Sequence, residues 1–397
     1  MASLCKNCGG SLIFAPDKKA LYCKMCGSTF KPESVEGDSK KLLEDVDATP
    51  AVKLFGSKSK SLYECNVYTC STCGGDIIIN QTEISTFCIY CGNPTVVFKR
   101  VSKEMRPDGI VPFSVSKDEA KMLIKNRISQ GPFVPAEIKR LDLQDIKGIY
   151  VPYWVVNCEF HDAVIVDGYE RYVKNPHQYY YGRSGECSFR SIPFDASLKL
   201  NDNMSQRLEP FFFDDAKAFD EDYLNGFYSD TSDISVNDLR TAVLKRCDKL
   251  FCEEVIKSVN ADDKKVVKTT PSVDIHEDAV YLLLPVWFYT YKYANKPYTI
   301  LVNGQTGKVV GSVTTDKRKV AIWSAVIFLL LFALMCIPLI FLKGEPLMLF
   351  SSFMTVIPVL CGALIWKSRT KIQSLKESLS QSQSGSTFLF AEKRQVT

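Results

Sequence analysis

Between Ile110 and Val313 the chain changes its polar rhythm several times. "IVPFSV" (Ile110–Val115) is a short apolar run that predicts a strand. "SKDEAKMLIKNRI" reads as a helix, with Ser116 as N-cap and Glu119 three residues later, a capping box. "YVPYWVVNCEFHDAVIVDGY" is β-branched and aromatic and predicts one long strand or two. "RSGECSFRSIPFD" predicts another. "SVNDLRTAVLKRCDKLFCEEVIKSV" is helical, capped by Ser235 with Asp238 three residues on. "AVYLLLPVWFYTYKYANKPYTILVNGQTGKVVGSV" predicts strands joined by tight turns, with "NGQTG" as one turn. These elements predict an α+β body built on an antiparallel sheet over 105–315. A division into two subdomains near Glu209 is the alternative.

After this mixed pattern the rhythm stops. Val320–Leu342 is 23 residues without a charge, and Pro346–Trp366 is 21 more. Each run is long enough to cross a hydrocarbon core of about 30 Å as a helix. Lys343-Gly344-Glu345 between them predicts a two-helix transmembrane hairpin. "DKRK" precedes the first run and "KSRTK" follows the second, so the positive-inside bias puts both termini in the cytoplasm of a multi-pass cell-membrane protein. The tail at 367–397 is basic and polar, with six Lys/Arg against two Glu after Trp366.

The N-terminal part has a different order. "CKNCGGSLIFAPDKKALYCKMCG" opens at Cys5, and "CSTCGGDIIINQTEISTFCIYCG" opens at Cys70. In each, two CxxC pairs stand fourteen residues apart: Cys5/Cys8 with Cys23/Cys26, and Cys70/Cys73 with Cys88/Cys91. A CxxC turn brings two sulfurs to one side. The glycine after each second cysteine (Gly9, Gly27, Gly74, Gly92) allows the positive φ such a turn needs. Short strands between the pairs complete a zinc ribbon with a tetrahedral four-thiolate site. The expected cofactor is Zn²⁺ in two structural sites, with iron as the alternative on ligand softness. A redox CxxC would stand singly in an α/β context rather than as matched pairs. Cys65 is a rival ligand that the matched spacing makes redundant. Cys158, Cys187, Cys247 and Cys252 read as small buried hydrophobes. The expected units are ribbons at 1–31 and 65–98, joined by a flexible linker at 32–64.

Composition adds two limits. The net charge is +4, and the stretch Asn201–Asp263 carries fifteen Asp/Glu against seven Lys/Arg, a poor surface for phosphates. No phosphate-cradling loop and no Ser/His/Asp or Cys/His arrangement is present, so no enzyme is expected. The aromatic run "HQYYYGRSGECSF" beside Arg183 suits base stacking or, more simply, a sheet surface.

Several strings carry a family likeness: "IVPFSVSKDEA", "GIYVPYWVVN", "LEPF", "LPVWFYTYKY" and "PYTILVNGQTGKVVG". With the paired cysteine motifs and the apolar C-terminal runs, the chain resembles the bacterial (Firmicutes-type) TFIIB-like double zinc-ribbon membrane proteins, from Cys5 to about Trp366. The resemblance implies no catalytic residues. It implies PspA-like (phage-shock) or SPFH-domain protein partners in envelope stress. The function expected is a non-enzymatic, membrane-anchored adaptor. A membrane-tethered nucleic-acid binder is the alternative. Its footprint is weak, because Met1–Arg100 holds twelve Lys/Arg against ten Asp/Glu. A sensor that releases a partner on zinc loss or thiol oxidation is a third reading.

Overall fold

A computed structural model describes residues 4–32, 62–70, 76–79, 97–129, 133–169, 178–197, 200, 202–276, 278–294, 296–311, 316, 318–326 and 329. Strands β1 (Leu12–Ala15), β2 (Ala20–Cys23) and β3 (Thr29–Phe30) form a small antiparallel sheet. The remaining strands form one sheet of thirteen. They are β4 (Leu62–Cys70), β5 (Asp76–Ile79), β6 (Val97–Met105), β7 (Gly109–Ile110), β8 (Lys147–Tyr169), β9 (Gln178–Asp195), β10 (Lys217–Ala218), β11 (Tyr228–Ser229), β12 (Asp263–Lys268), β13 (Ser272–Ile275), β14 (Val280–Tyr293), β15 (Lys296–Asn303) and β16 (Val309–Gly311). The helices are α1 (Lys117–Ser129), α2 (Ala136–Lys139), α3 (Asp202–Leu208) and α4 (Arg240–Ser258).

The axis of the large sheet is β8. One of its edges pairs in turn with β14, β13 and β12, and the other with β11 and then β9. Its sequence explains its two halves. Gly148–Cys158 is almost unbroken in apolar character and is buried on both faces. Its odd-numbered residues Ile149, Val151, Tyr153 and Val155 pack with α3 and β14. Beyond Cys158 the strand alternates. Phe160, Val164 and Val166 are buried while Ala163 and Ile165 are exposed. Trp154, Cys158, Phe160, Val164 and Val166 of the even row pack against Val243, Cys247, Phe251 and Val255 of α4. A continuous apolar run buried on both faces and an alternating run buried on one are the two signatures of a strand's surroundings.

The local signals appear where the sequence puts them. Ser116 and Glu119 form the capping box: the Ser116 N–H and hydroxyl both donate to Glu119 Oε2 at 2.8 Å, and the Glu119 N–H donates to Ser116 Oγ at 3.3 Å. Ser235 donates its hydroxyl to Asp238 Oδ2 at 2.6 Å, opening a 3-10 turn (Asn237–Leu239) that runs into α4. The "NGQTG" turn joins β15 to β16, and Asn303 holds it: its Oδ1 accepts from the N–H of Gln305 and of Thr306. "IVPFSV" departs from expectation. Only Ile110 belongs to a strand, and Ser114 and Val115 donate their N–H groups to the Gly304 carbonyl instead.

Three expectations need correction. The expected fold class, an α+β body on an antiparallel sheet with two ribbons and a transmembrane hairpin, is corrected for the described residues. The described chain is mostly sheet, and the sheet is mixed, with β7 parallel to β14 and β11 parallel to β8. These parallel neighbours are two-residue strands, too short to carry a periodic signal. The expected boundary between linker and second cysteine unit at 64/65 falls inside β4, and 33–61 lies outside the described residues. Strands β4, β5 and β6 belong to the large sheet, with β4 paired to both β5 and β6.

The membrane localisation is the third correction. Among the described residues no helix is long and apolar enough to cross a membrane. The described helical residues are 318–326, with Asp316 ahead of them accepting the Arg318 N–H on its Oδ1 at 2.9 Å, and the rest of 320–342 is described only at Leu329. The second run, 346–366, and the tail lie outside the described residues. Hydropathy measures how strongly a run avoids water, and that avoidance does not by itself specify a bilayer as the destination.

Candidate metal centre

The first four-cysteine set is assembled on β1, β2 and the two turns that flank them. In each turn the chain doubles back on itself through two backbone hydrogen bonds. Cys5 N–H donates to the Gly10 carbonyl and Gly9 N–H to the Cys5 carbonyl. Cys23 N–H donates to Ser28 and Gly27 N–H to Cys23 in the same way. Gly9 and Gly27 stand at φ +72° and +74°, as the motif requires, and neither would meet another atom through an added Cβ. The glycines are there for backbone conformation and not for room.

The two turns bring Cys5, Cys8, Cys23 and Cys26 together, with all four Sγ atoms within 4.8 Å of one another. Cys5 Sγ lies 3.5 Å from Cys26 Sγ, and Cys8 Sγ lies 3.5 Å from Cys23 Sγ. A tetrahedron with metal–sulfur bonds of about 2.3 Å has edges of about 3.8 Å, so the spacing fits a four-thiolate centre. Cys5 and Cys23 are buried, whereas Cys8 and Cys26 face solvent.

The charges point the same way. The Ser28 hydroxyl, 3.2 Å from Cys26 Sγ, and then a backbone hydrogen bond from Ser28 pull the Cys26 thiol down to about 6. At Cys8 a backbone hydrogen bond at Gly10 favours the thiolate, but the sulfurs of Cys26 and Cys23 outweigh it and push the thiol up to about 12. Four sulfurs this close do not ionise together unless a cation sits among them. The cluster could hold a metal ion, and its four protein ligands leave no open position.

The ribbon is seated on a 3-10 turn, Glu221–Leu224, that lies between β10 and β11. The Phe14 N–H donates to the Asn225 carbonyl at 2.8 Å, and the Phe14 ring meets Tyr223 at 5.1 Å between centroids. Cys5, Leu12, Phe14, Leu21 and Cys23 share one apolar core with Tyr150, Phe227 and Trp287.

Of the second set, Cys70 is the buried last residue of β4, while Cys73, Cys88 and Cys91 lie outside the described residues. Cys65, the rival ligand, is buried in the core with Tyr63 and Val67. Cys158 and Cys247 are buried as expected, and their sulfurs meet 3.6 Å apart between β8 and α4. One cluster escaped the sequence reading: Asp162, Asp248 and Cys252. Its signals were a carboxylate in the apolar even row of β8 and two donors four residues apart on α4.

No protein-family model matches the chain, and no solved structure matches it. Its sequence is 27% identical over 334 residues to the uncharacterized protein YdjG of Bacillus subtilis (strain 168), across 80% of this chain and 92% of that protein.

Proposed function

We propose that the chain is a non-enzymatic adaptor whose N-terminal ribbon, stapled by structural Zn²⁺ at Cys5, Cys8, Cys23 and Cys26, presents its turn end to a protein partner. One observation carries this reading. The strand side of the ribbon is fixed through Phe14 to Tyr223 and Asn225 of the turn between β10 and β11, while the turn end exposes Met25 (79%) and Leu4 (60%) to solvent. A closed thiolate centre with exposed apolar residues beside it suits binding better than chemistry. The matched spacing supports a second Zn²⁺ at Cys70, Cys73, Cys88 and Cys91. The family resemblance supports PspA-like or SPFH-domain proteins as the partners.

The test compares the full chain with a Leu4→Asp/Met25→Asp variant after in-cell crosslinking, with partners identified by mass spectrometry. Recovery of a PspA-like or SPFH-domain protein with the wild type, and its loss in a variant that keeps its zinc, supports the adaptor. Equal recovery from both removes the ribbon from recognition.

A second reading, nucleic-acid binding, draws on the β8–β9 arm. Tyr179 and Tyr180 are exposed there, and the Arg183 guanidinium lies 5.8 Å from the Tyr181 ring centre. Aromatic faces beside a guanidinium are the groups on which single-stranded bases stack. Salt-sensitive binding of single-stranded oligonucleotides that is lost on Tyr180→Ala would favour it over the adaptor.

A further inference from the structure

Asp162 lies in the even row of β8, where Phe160, Val164 and Val166 are apolar and buried. Its residue exposure is only 6%. One oxygen, Oδ1, accepts from the Thr270 N–H at 2.7 Å, and this bond fixes the carboxylate. The other, Oδ2, is buried and has no hydrogen-bond partner. Native proteins rarely leave a buried carboxylate oxygen in that condition, and each instance calls for a reason.

Helix α4 faces this point with Asp248 and Cys252. They are four residues apart, so their side chains leave the same face of the helix. The Cys252 thiol donates to Asp248 Oδ1 at 3.4 Å. One donor atom from each of the three residues lies within 4.8 Å of the other two.

Two of the three groups, Asp162 and Cys252, share one tendency. Burial first, and then the neighbouring Asp248, raise the Asp162 carboxyl above its usual range against the backbone N–H groups of Thr270 and Ala163. Burial and Asp248 likewise push the Cys252 thiol up to about 12. Among the described residues no ion pair reaches Asp162, Asp248 or Cys252. A bound cation would satisfy the orphaned oxygen and let all three donors ionise.

We propose that Asp162, Asp248 and Cys252 form a site for a zinc-class divalent cation, separate from the four-thiolate centre of the ribbon. The donor set decides the class. A thiolate among carboxylates disfavours Mg²⁺ and Ca²⁺ and suits Zn²⁺, Co²⁺ or Cd²⁺. The geometry decides the character of the site. Asp162 is buried and held by Thr270, while Asp248 and Cys252 are only half-buried. Three protein ligands then leave a fourth position on the solvent side for water, unlike the closed ribbon centre.

The test uses the full-length protein loaded with ¹¹³Cd²⁺, freed of excess metal and examined by ¹¹³Cd NMR. Four-thiolate centres resonate far downfield, and a centre with one sulfur and several oxygens resonates well upfield of them. The expected spectrum contains a separate upfield resonance. Cys252→Ser and Asp162→Asn each abolish it and leave the downfield signal in place, which also shows that the variants fold. Should Asp162→Asn fail to fold, the half-buried Asp248→Asn carries the same comparison. Two results overturn the proposal: a wild-type spectrum with downfield signals only, or an upfield resonance that survives both Cys252→Ser and Asp248→Asn.

Discussion

The backbone N–H of Phe14 donates to the carbonyl of Asn225 across 2.8 Å, and beside that bond the Phe14 ring tilts 55° onto Tyr223. The small sheet that carries the thiolate cluster is thereby an extension of the main core. Phe14 is 2% exposed, so most of its surface is withdrawn from water by this contact. Apolar burial beneath its strands therefore holds the ribbon, and a metal bound between its turns would add a second restraint.

Phe14→Ala separates these two restraints. Truncating a buried phenylalanine costs about 3–5 kcal/mol where the site cannot collapse. The expected outcome is a ribbon that still binds metal but detaches from Tyr223 and Asn225. Hydrogen exchange would show protection lost at β1 and Tyr223 with zinc content unchanged. Metal removal gives the converse. Chelation, or Cys23→Ser, is expected to strip protection from β1 and β2 while β14 keeps its own. Equal loss of protection in β14 would mean that the ribbon and the large sheet unfold as one unit.

Gly9→Ala and Gly27→Ala probe the turns. Neither new Cβ meets another atom, so any loss comes from the positive φ alone. A left-handed conformation costs a non-glycine residue roughly 1–2 kcal/mol, and asparagine less. Each alanine variant is expected to bind zinc roughly 5–30-fold more weakly in competition with a chromogenic chelator. The asparagine variants should fall between alanine and wild type.

The capping box gives a pH-dependent test. A backbone hydrogen bond from Ser116, and then its hydroxyl, hold the Glu119 carboxyl below its ordinary value of 4.5. A carboxylate with a lowered folded pKa stabilises above its unfolded value, and the benefit disappears as pH falls through the folded one. Glu119→Gln is therefore expected to have a lower urea midpoint than wild type at pH 7, and the gap should close below pH 4.5. Ser116→Ala removes the cap itself and is expected to cost about 1 kcal/mol at neutral pH. A gap for Glu119→Gln that widened in acid would contradict the assignment.

Asn303 is the buried polar residue with the fullest set of bonds at the β15–β16 turn. It is 0% exposed. Its Nδ2 donates to the carbonyls of Leu208 and Pro210 at 2.9 and 3.0 Å, and its Oδ1 receives two backbone N–H groups. Asn303→Ala leaves several of these groups without partners, each costing about 1–3 kcal/mol. A loss of about 3 kcal/mol or more in urea unfolding is expected. Asn303→Asp keeps the acceptor but sets a second oxygen against the Leu208 and Pro210 carbonyls and buries a charge, so at neutral pH it should be no milder than alanine.

Contacts between residues close in the chain are legible in the sequence, and pairings between distant strands are not. Ser116 with Glu119, Ser235 with Asp238, and, in the "NGQTG" turn, Asn303 with Gln305 are pairs two or three residues apart, and each appears as a hydrogen bond. Cys5, Cys8, Cys23 and Cys26 span twenty-two residues with a repeated spacing, and they converge. Tyr228–Ser229 gave no warning that it would lie parallel to β8, because two residues have no rhythm. The β4 strand was divided between a linker and a ribbon, because its partner β6 lies beyond the cysteines and its pairing is not local. The apolar runs after Val320 were legible as hydrophobic, but hydropathy alone could not supply the structure or location that was inferred from it.

Sequence by itself determined whatever depends on short separations: the four-cysteine spacing, the glycines of its turns, the caps, and the two-residue alternation in the distal half of β8. In those cases the covalent chain brings the partners together at little entropic cost. The tertiary structure decided which strands became neighbours, where Phe14 came to rest, and that Asp162 would face Asp248 and Cys252. Those contacts join residues far apart in the chain. They exist only once burial of the apolar rows of β8, β14 and α4 has offset the entropy of closing such long loops.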